Sequence, residues 1–320
     1  MTQNIKLKGE ILLHQSGQRL DQALAEIFPT YSRARLKTWV TRGYVQVNQH
    51  IVTKARTKVL AEQTIEIDAW IEEVVTHQPE PMSLNIVYED EHLLVINKPQ
   101  GLVVHPGAGN QQGTLLNALL HHAPELENIP RAGIVHRLDK DTTGLMVVAK
   151  TLAAQTSLTN ALQARQITRE YEAVVIGSLT SGGHVNQPLG RHPSKRTHMA
   201  IVPQGKEAIT HYRIAEKFRA HTRLRLRLET GRTHQIRVHM AHLNHPLVGD
   251  QTYGRPRPIK DATAELSQFL LQFKRQALHA ALLSLTHPVT EEIMTWQAPI
   301  PEDMQSLTML LRLDTQAYQG

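Results

Sequence analysis

Gly133-Ile134-Val135-His136-Arg137-Leu138-Asp139-Lys140-Asp141-Thr142-Thr143-Gly144-Leu145 is the stretch on which the reading of the chain turns. It is a dense polar loop between apolar segments, and its glycine leads into a strand-like run, Met146–Ala149. From His136 to Asp141 it gathers two carboxylates and three basic side chains, close enough to predict strongly coupled ionisation. Asp-Lys-Asp-Thr-Thr-Gly is also ordinary turn chemistry, so a plain surface turn is the competing interpretation.

Outward from this loop lie further short apolar runs, Leu93–Ile96, Ala173–Ile176 and Thr222–Leu228, with helical patterns at Thr114–His122 and Ala153–Arg165. Together they predict an α+β unit built on a mostly antiparallel sheet. Nearer the N-terminus, Arg19–Phe28 places Leu20, Ala23, Leu24 and Ile27 at helical spacing. Ser32 is placed to cap a second helix, Arg33–Arg42, and Gly43 to stop it. Tyr44–Val47 and Thr64–Ile67 read as strands, with a turn at Asn48–His50. The second helix carries Arg33, Arg35, Lys37 and Arg42 around a Leu36–Val40 seam; such a face serves RNA or simply water. Mixed charge with Pro79 and Pro81 predicts a linker over 69–81. The expected organisation is an N-terminal domain over 17–77, a catalytic domain over 78–310 and a tail over 311–320.

The formal charge of +6 and pI near 9.5 point to a polyanionic partner. Aromatic residues make up only 4%, so a broad stacking platform is not expected, and arginine, lysine and backbone groups must supply the grip. Cysteine is absent, which excludes disulfides, thiolate metal sites and a cysteine nucleophile. No apolar run approaches a membrane span, and Met1–Glu10 lacks a signal-peptide pattern, so a cytoplasmic protein is expected. His239, His242 and His245 follow His234 at three-residue steps, but no glutamate lies between them as in His-Glu-x-x-His, and no metal is expected. Arg191, His192, Lys195, Arg196 and His198 form a basic loop suited to phosphates. Arg223, Arg225 and Arg227 alternate with leucines, as one face of a strand would; that face is an RNA contact or a solvated surface.

His136-Arg137-Leu138-Asp139, with Thr142, Thr143, Gly144 and Leu145, resembles the signature of the large-subunit rRNA branch of pseudouridine synthases. The similarity runs through Asn97-Lys98-Pro99, Gly101–Gly107, Arg169-Glu170-Tyr171-Glu172, Gly231–His239 and Pro246–Asp250, in the expected order. Arg19-Leu20-Asp21, Ser32-Arg33-Ala34-Arg35 and the step Gly43–Val47 resemble the S4-like RNA-binding module.

The resemblance implies a pseudouridine synthase fold with a small N-terminal S4-like α/β domain. It implies that Asp139 is the indispensable residue, that Tyr171 stacks on the target base and that Arg237 pairs with Asp139, keeping it ionised and aimed. Arg137 is expected to enter the space left by a flipped uridine. The wider RNA-contact set is His136, Arg232, His234, Arg191, Lys195 and Arg196, with Arg33, Arg35 and Lys37 from the N-terminal helix. Asp141 is expected to be structural. The implied substrate is the helix 69 stem-loop of 23S rRNA, within an assembling large ribosomal subunit, acted on by a monomer without cofactor or metal.

Overall fold

The computed structural model describes residues 3–71, 78–107, 109–195, 197–254 and 259–319. The chain divides into two compact units, Met1–Thr76 and His77–Gly320. The linker expected over 69–81 falls largely outside the described residues, as does Arg196 of the basic loop.

In the first unit, β1 (Gln3–Glu10), α1 (Leu20–Ile27), α2 (Arg33–Thr41), β2 (Val45–Val47), β3 (His50–Ile51) and β4 (Thr64–Ile71) follow in order. The antiparallel sheet runs β1-β4-β2-β3. The Ser32 hydroxyl accepts from the Arg35 amide at 3.3 Å, which satisfies a free N–H at the start of α2. Asn48 and Gln49 take φ of 47° and 63°, the two-residue turn that keeps β2 and β3 in twist. Leu20, Leu24, Leu36, Val40, Val45, Ile65 and Ile67 close a core between the two helices and the sheet. Asp21 is buried beside it and gathers Arg19 (2.9 Å) and Arg33 (2.7 Å), which fixes the first basic side chain of α2 in place.

In the second unit, β5 (Ile86–Glu89), β6 (Leu93–Lys98), α3 (Leu115–His122), β7 (Thr143–Ala149), α4 (Leu152–Gln163), β8 (Thr168–Ile176) and β9 (Gly183–Asn186) come first. They are followed by β10 (Leu189–Arg191), β11 (Met199–Ile201), β12 (Ile209–Lys217), β13 (His221–Leu228), α5 (Gln235–His242), α6 (Ala264–Gln272), β14 (Leu278–Thr286), β15 (Ile293–Gln297) and α7 (Glu302–Gln319). Among the described residues the main sheet runs β5-β6-β7-β14-β8-β13-β12-β9, with β15 on β14. Only the β7–β14 pair is parallel, so the sheet is mixed and mostly antiparallel.

Strand alternation sorts the apolar side chains onto two faces. Ile96, Met146, Val148, Ala173 and Leu226 pack with α3 and Ile236 of α5 on one; Val95, Val147 and Leu285 pack with α4 on the other. That two-sided burial is why β7 reads as an unbroken apolar run. Its strand begins at Thr143 rather than Met146, because Thr143 and Gly144 pair with His279 and Ala280 of β14. The segment expected as a tail, 311–320, is helical through Gln319: Leu310 and Leu311 are buried, and Asp314 holds Arg219 at 2.9 Å. The arginine face of β13 leaves Arg225 and Arg227 exposed. Arg223 and Arg225 bind the two oxygens of Glu172 on β8 at 2.9 and 3.0 Å, so two of its three cations are tied across strands.

Gly144 has φ +113°, and a Cβ there would stand 2.3 Å from the Ala280 carbonyl oxygen. Gly144→Ala is therefore expected to cost at least about 2 kcal/mol, from backbone strain and overpacking where β7 meets β14. Denaturant unfolding measures this, and a loss below about 0.5 kcal/mol would contradict the close approach.

Candidate active site

Asp139 lies within the loop that precedes β7, and the loop is pinned by its backbone. The Asp139 carbonyl accepts from the Thr142 amide at 3.1 Å. Buried Lys98, at the end of β6, donates from Nζ to the carbonyls of Lys140 (2.9 Å), Pro99 (2.7 Å) and Leu102 (3.0 Å). Burial lowers the Lys98 pKa to about 8, against the pull of Asp141 and Asp139. Arg275 donates to the Asp141 carbonyl at 3.3 Å, and Gln276 donates to the Thr142 hydroxyl at 3.0 Å. Asp141 thus contributes its backbone carbonyl to the clamp. Leu138 is buried under the loop, and the Asp139 side chain stays 18% exposed at its surface.

The facing group comes from α5. Gln235 fixes the start of this helix: its side-chain oxygen accepts from Thr230 (2.8 Å) and the Arg232 amide (2.9 Å), and its nitrogen donates to the Ile209 carbonyl (3.0 Å). Two residues on, buried Arg237 reaches Asp139 Oδ2 from Nη1 at 3.0 Å. Its other edge grips Asp250 in a two-point fork, Nε to Oδ2 at 2.7 Å and Nη2 to Oδ1 at 2.8 Å. Asp250 is fully buried and also accepts from the amides of Thr252 and Tyr253 at 2.8 and 3.1 Å. Burial opposes charge on Arg237, but the hydrogen bonds and charges of Asp250 and Asp139 outweigh it and raise its pKa. Burial likewise works against the Asp250 carboxylate, and Arg237 overcomes it, so its pKa falls.

His234 completes the enclosure. It sits in the left-handed conformation at φ 56°, just before α5, with Nε2 3.9 Å from Asp139 Oδ1. Its Nδ1 meets the Tyr253 hydroxyl at 2.8 Å, and that oxygen accepts from the Met199 amide at 2.8 Å. A phenol that donates to Nδ1 puts the ring proton of neutral His234 on Nε2, on the side of the Asp139 carboxylate. Burial, ahead of the attraction of Asp139, lowers the His234 pKa and favours this neutral form. Tyr171 is buried on β8; burial raises its hydroxyl pKa, Arg169 opposes the shift and the Asp139 charge adds to it. A partly open carboxylate and a clamping guanidinium are therefore in contact, and the charge of Asp139 reaches the buried Tyr171 hydroxyl.

The residues expected to touch RNA divide. Arg137, Arg191 and Lys195 are exposed on this unit, and Arg33, Arg35 and Lys37 are exposed on the first. Arg232 is exposed and donates to the Glu207 carbonyl at 3.1 Å. His234 belongs beside Asp139 rather than in an outer RNA surface. His136 is turned inward: its Nε2 accepts from the Val147 amide at 3.0 Å, and burial, helped by Arg169, holds its pKa down at about 3. His239 of α5 is structural as well, since it contacts the Thr210 hydroxyl (2.9 Å) and the Gln187 carbonyl (3.1 Å). Sequence reasoning quoted Lys98 and Asp250 within motifs without giving either a part, and it passed over Tyr253. The one available signal was an acid and a tyrosine closing the Pro246–Tyr253 segment.

Because Asp250 is fully buried against Arg237, Asp250→Asn should destabilise the protein by about 3–5 kcal/mol, the cost of stranding a buried charge. Thermal or chemical unfolding tests this; a change under 1 kcal/mol would mean that Arg237 is held by something else.

Known proteins resemble this chain in sequence and fold. A family model described as RNA pseudouridylate synthase matches residues 92–242, and an S4 domain model matches residues 18–65. The chain is 62% identical to the ribosomal large subunit pseudouridine synthase D of Pasteurella multocida, over 98% of each chain. It is 59% identical to the protein of that name from Escherichia coli strain K12, over 100% of this chain and 98% of that one. Among solved structures, human RNA Pseudouridylate Synthase Domain Containing 4 superposes with a TM-score of 0.56 at 25% identity, covering 71% of this chain and 93% of that one. Human RNA Pseudouridylate Synthase Domain Containing 1 gives 0.52 at 28% identity, covering 73% and 97%. By full-length identity to these relatives, and by the fold, this chain belongs to the RNA pseudouridylate synthase family.

Proposed function

We propose that the chain isomerises uridine to pseudouridine in large-subunit rRNA, with Asp139 as the catalytic carboxylate. The observation that carries this reading is the Asp250–Arg237–Asp139 chain, which ends in a partly open carboxylate whose charge reaches buried Tyr171. The N-terminal unit, with Arg33, Arg35 and Lys37 exposed on one helix, supports an RNA substrate through backbone contacts. Full-length similarity to relatives named for the large ribosomal subunit supports 23S rRNA. Within it we propose the helix 69 stem-loop, met in an assembling subunit by a cytoplasmic monomer. No helix among the described residues is long and apolar enough to cross a membrane.

The reaction breaks the N1–C1′ bond, turns the uracil and joins its C5 to C1′; N1 gains a proton and C5 loses one. Nothing is oxidised overall and no phosphoryl group is transferred, so the chemistry asks for no cofactor. Asp139 supplies negative charge where the ribose becomes electron-poor as N1 departs. Arg237 and His234 aim it: the guanidinium takes Oδ2, and the Nε2–H of His234 faces Oδ1. Tyr171 offers the face on which an extruded base rests, and a loop substrate lowers the extrusion cost of a few kcal/mol. Arg137, exposed two residues before Asp139, is placed to occupy the vacated stack.

Two substitutions separate the carboxylates of the loop. Asp139→Asn should abolish pseudouridine formation in a 23S stem-loop and leave RNA binding within a few-fold, whereas Asp141→Asn should retain measurable turnover. Carbodiimide adducts that arrest reverse transcription read the product, and equal residual activity in both variants would break the assignment. Tyr171→Phe keeps the ring and removes the hydroxyl. A loss of at least about tenfold in single-turnover rate is expected if the hydroxyl moves a proton; an unchanged rate would limit Tyr171 to stacking.

A further inference from the structure

Arg169 lies two residues before Tyr171 on β8, so both side chains emerge on the same sheet face, about 7 Å apart along the strand. It is buried, with 7% of its surface exposed. Among the described residues it has no ion-pair partner, and its Nε has no hydrogen-bond partner at all. Its one hydrogen bond is a long one, Nη2 to the Glu229 carbonyl at 3.4 Å. The carboxylate of Glu229 is engaged elsewhere, by Arg165 at 2.9 Å and His211 at 2.6 Å. Nη1 lies against Gly231, within 2.7 Å of where a Cβ would stand, so the guanidinium rests on the bare backbone of the loop that leads to His234.

A buried guanidinium without an anion is costly to the folded protein, and the orphaned Nε adds to that cost. Its neighbours do not relieve it: His136 is neutral, and Tyr171 is an un-ionised phenol. Such a group persists where a ligand supplies the missing charge. We propose that Arg169 is a phosphate receptor, binding a phosphodiester oxygen next to the nucleotide whose base rests on Tyr171. This rests on the uridine-isomerising reading of the site and adds to it a fixed distance between a base platform and an anion seat. The contact would register the RNA backbone so that the ribose comes to Asp139.

The test uses the full chain and a transcribed helix 69 stem-loop, with Kd measured across a salt series and unfolding followed without RNA. For Arg169→Gln, Kd should rise about tenfold at low salt, and the slope of log K against log salt should shrink by about 0.7. Its melting temperature should equal or exceed that of the native protein, because an uncompensated buried charge has gone. Gly231→Ala, which keeps the charge but displaces the guanidinium, should weaken binding in the same direction. Arg169→Lys should keep most of the salt slope. If Arg169→Gln melts several degrees lower while Kd and slope stay native, Arg169 is a structural residue and the proposal falls. A weaker Kd with an unchanged slope also overturns it, in favour of a contact to the base. Native protein that neither binds nor modifies the stem-loop would overturn the functional reading itself; native activity with unaltered variants would overturn only the receptor.

Discussion

Arg237 binds two carboxylates at once, and the geometry of the site follows from the inequality between them. Asp250 is fully enclosed, takes both ends of the guanidinium fork and is itself held by two backbone amides. It is an anchor with no freedom to serve a substrate. Asp139 receives the remaining Nη1 and keeps part of its surface open. Two acids with the same partner thus differ in burial and in how many donors hold them. A buried pair of this kind adds little net stability compared with apolar packing, so its value lies in fixing one geometry.

The rest of the unit holds the two sides of that contact in register. Asp139 sits in the loop before β7 and Arg237 on α5, 98 residues apart in sequence. Lys98, Arg275 and Gln276 clamp the Asp139 loop through its backbone and hydroxyl, while Gln235 ties the start of α5 to β12. Most of these clamps are buried polar groups that bond to backbone, so the loop keeps its shape whatever its exposed side chains do. Arg137 and Lys140 are left at the surface of a rigid loop.

Much of this was legible in the sequence where local chemistry decided the structure. Ser32, the turn at Asn48–Gln49 and the apolar runs of β6, β7 and β13 give their elements directly. The family signature brings Asp139, Tyr171 and Arg237 to attention, and in the structure Arg237 contacts Asp139 while Tyr171 is buried on β8 within reach of the Asp139 charge. What escaped was set by distant partners. Thr143-Gly144 looks like the end of a turn but is strand, because Ala280 and Lys98 lie on either side of Gly144. Leu278–Thr286, central to the sheet, has an apolar pattern that suits a helix equally well. His136 sits in a basic cluster yet faces inward as a hydrogen-bond acceptor. The arginines of β13 look free until Glu172 of the neighbouring strand is seen between two of them. Asp250 was hidden for the same reason, since a carboxylate that serves another side chain leaves no mark of that service in its own surroundings.

The most direct measurement of the central claim is the single-turnover rate of Arg237→Met on a 23S stem-loop at saturating enzyme, with RNA affinity measured in parallel. If Arg237 acts by holding Asp139 in place, the rate should fall by at least about a thousandfold while Kd moves only a few-fold. A folded variant that isomerises uridine within tenfold of the native rate would contradict the account, because Asp139 would then work without the partner that positions it.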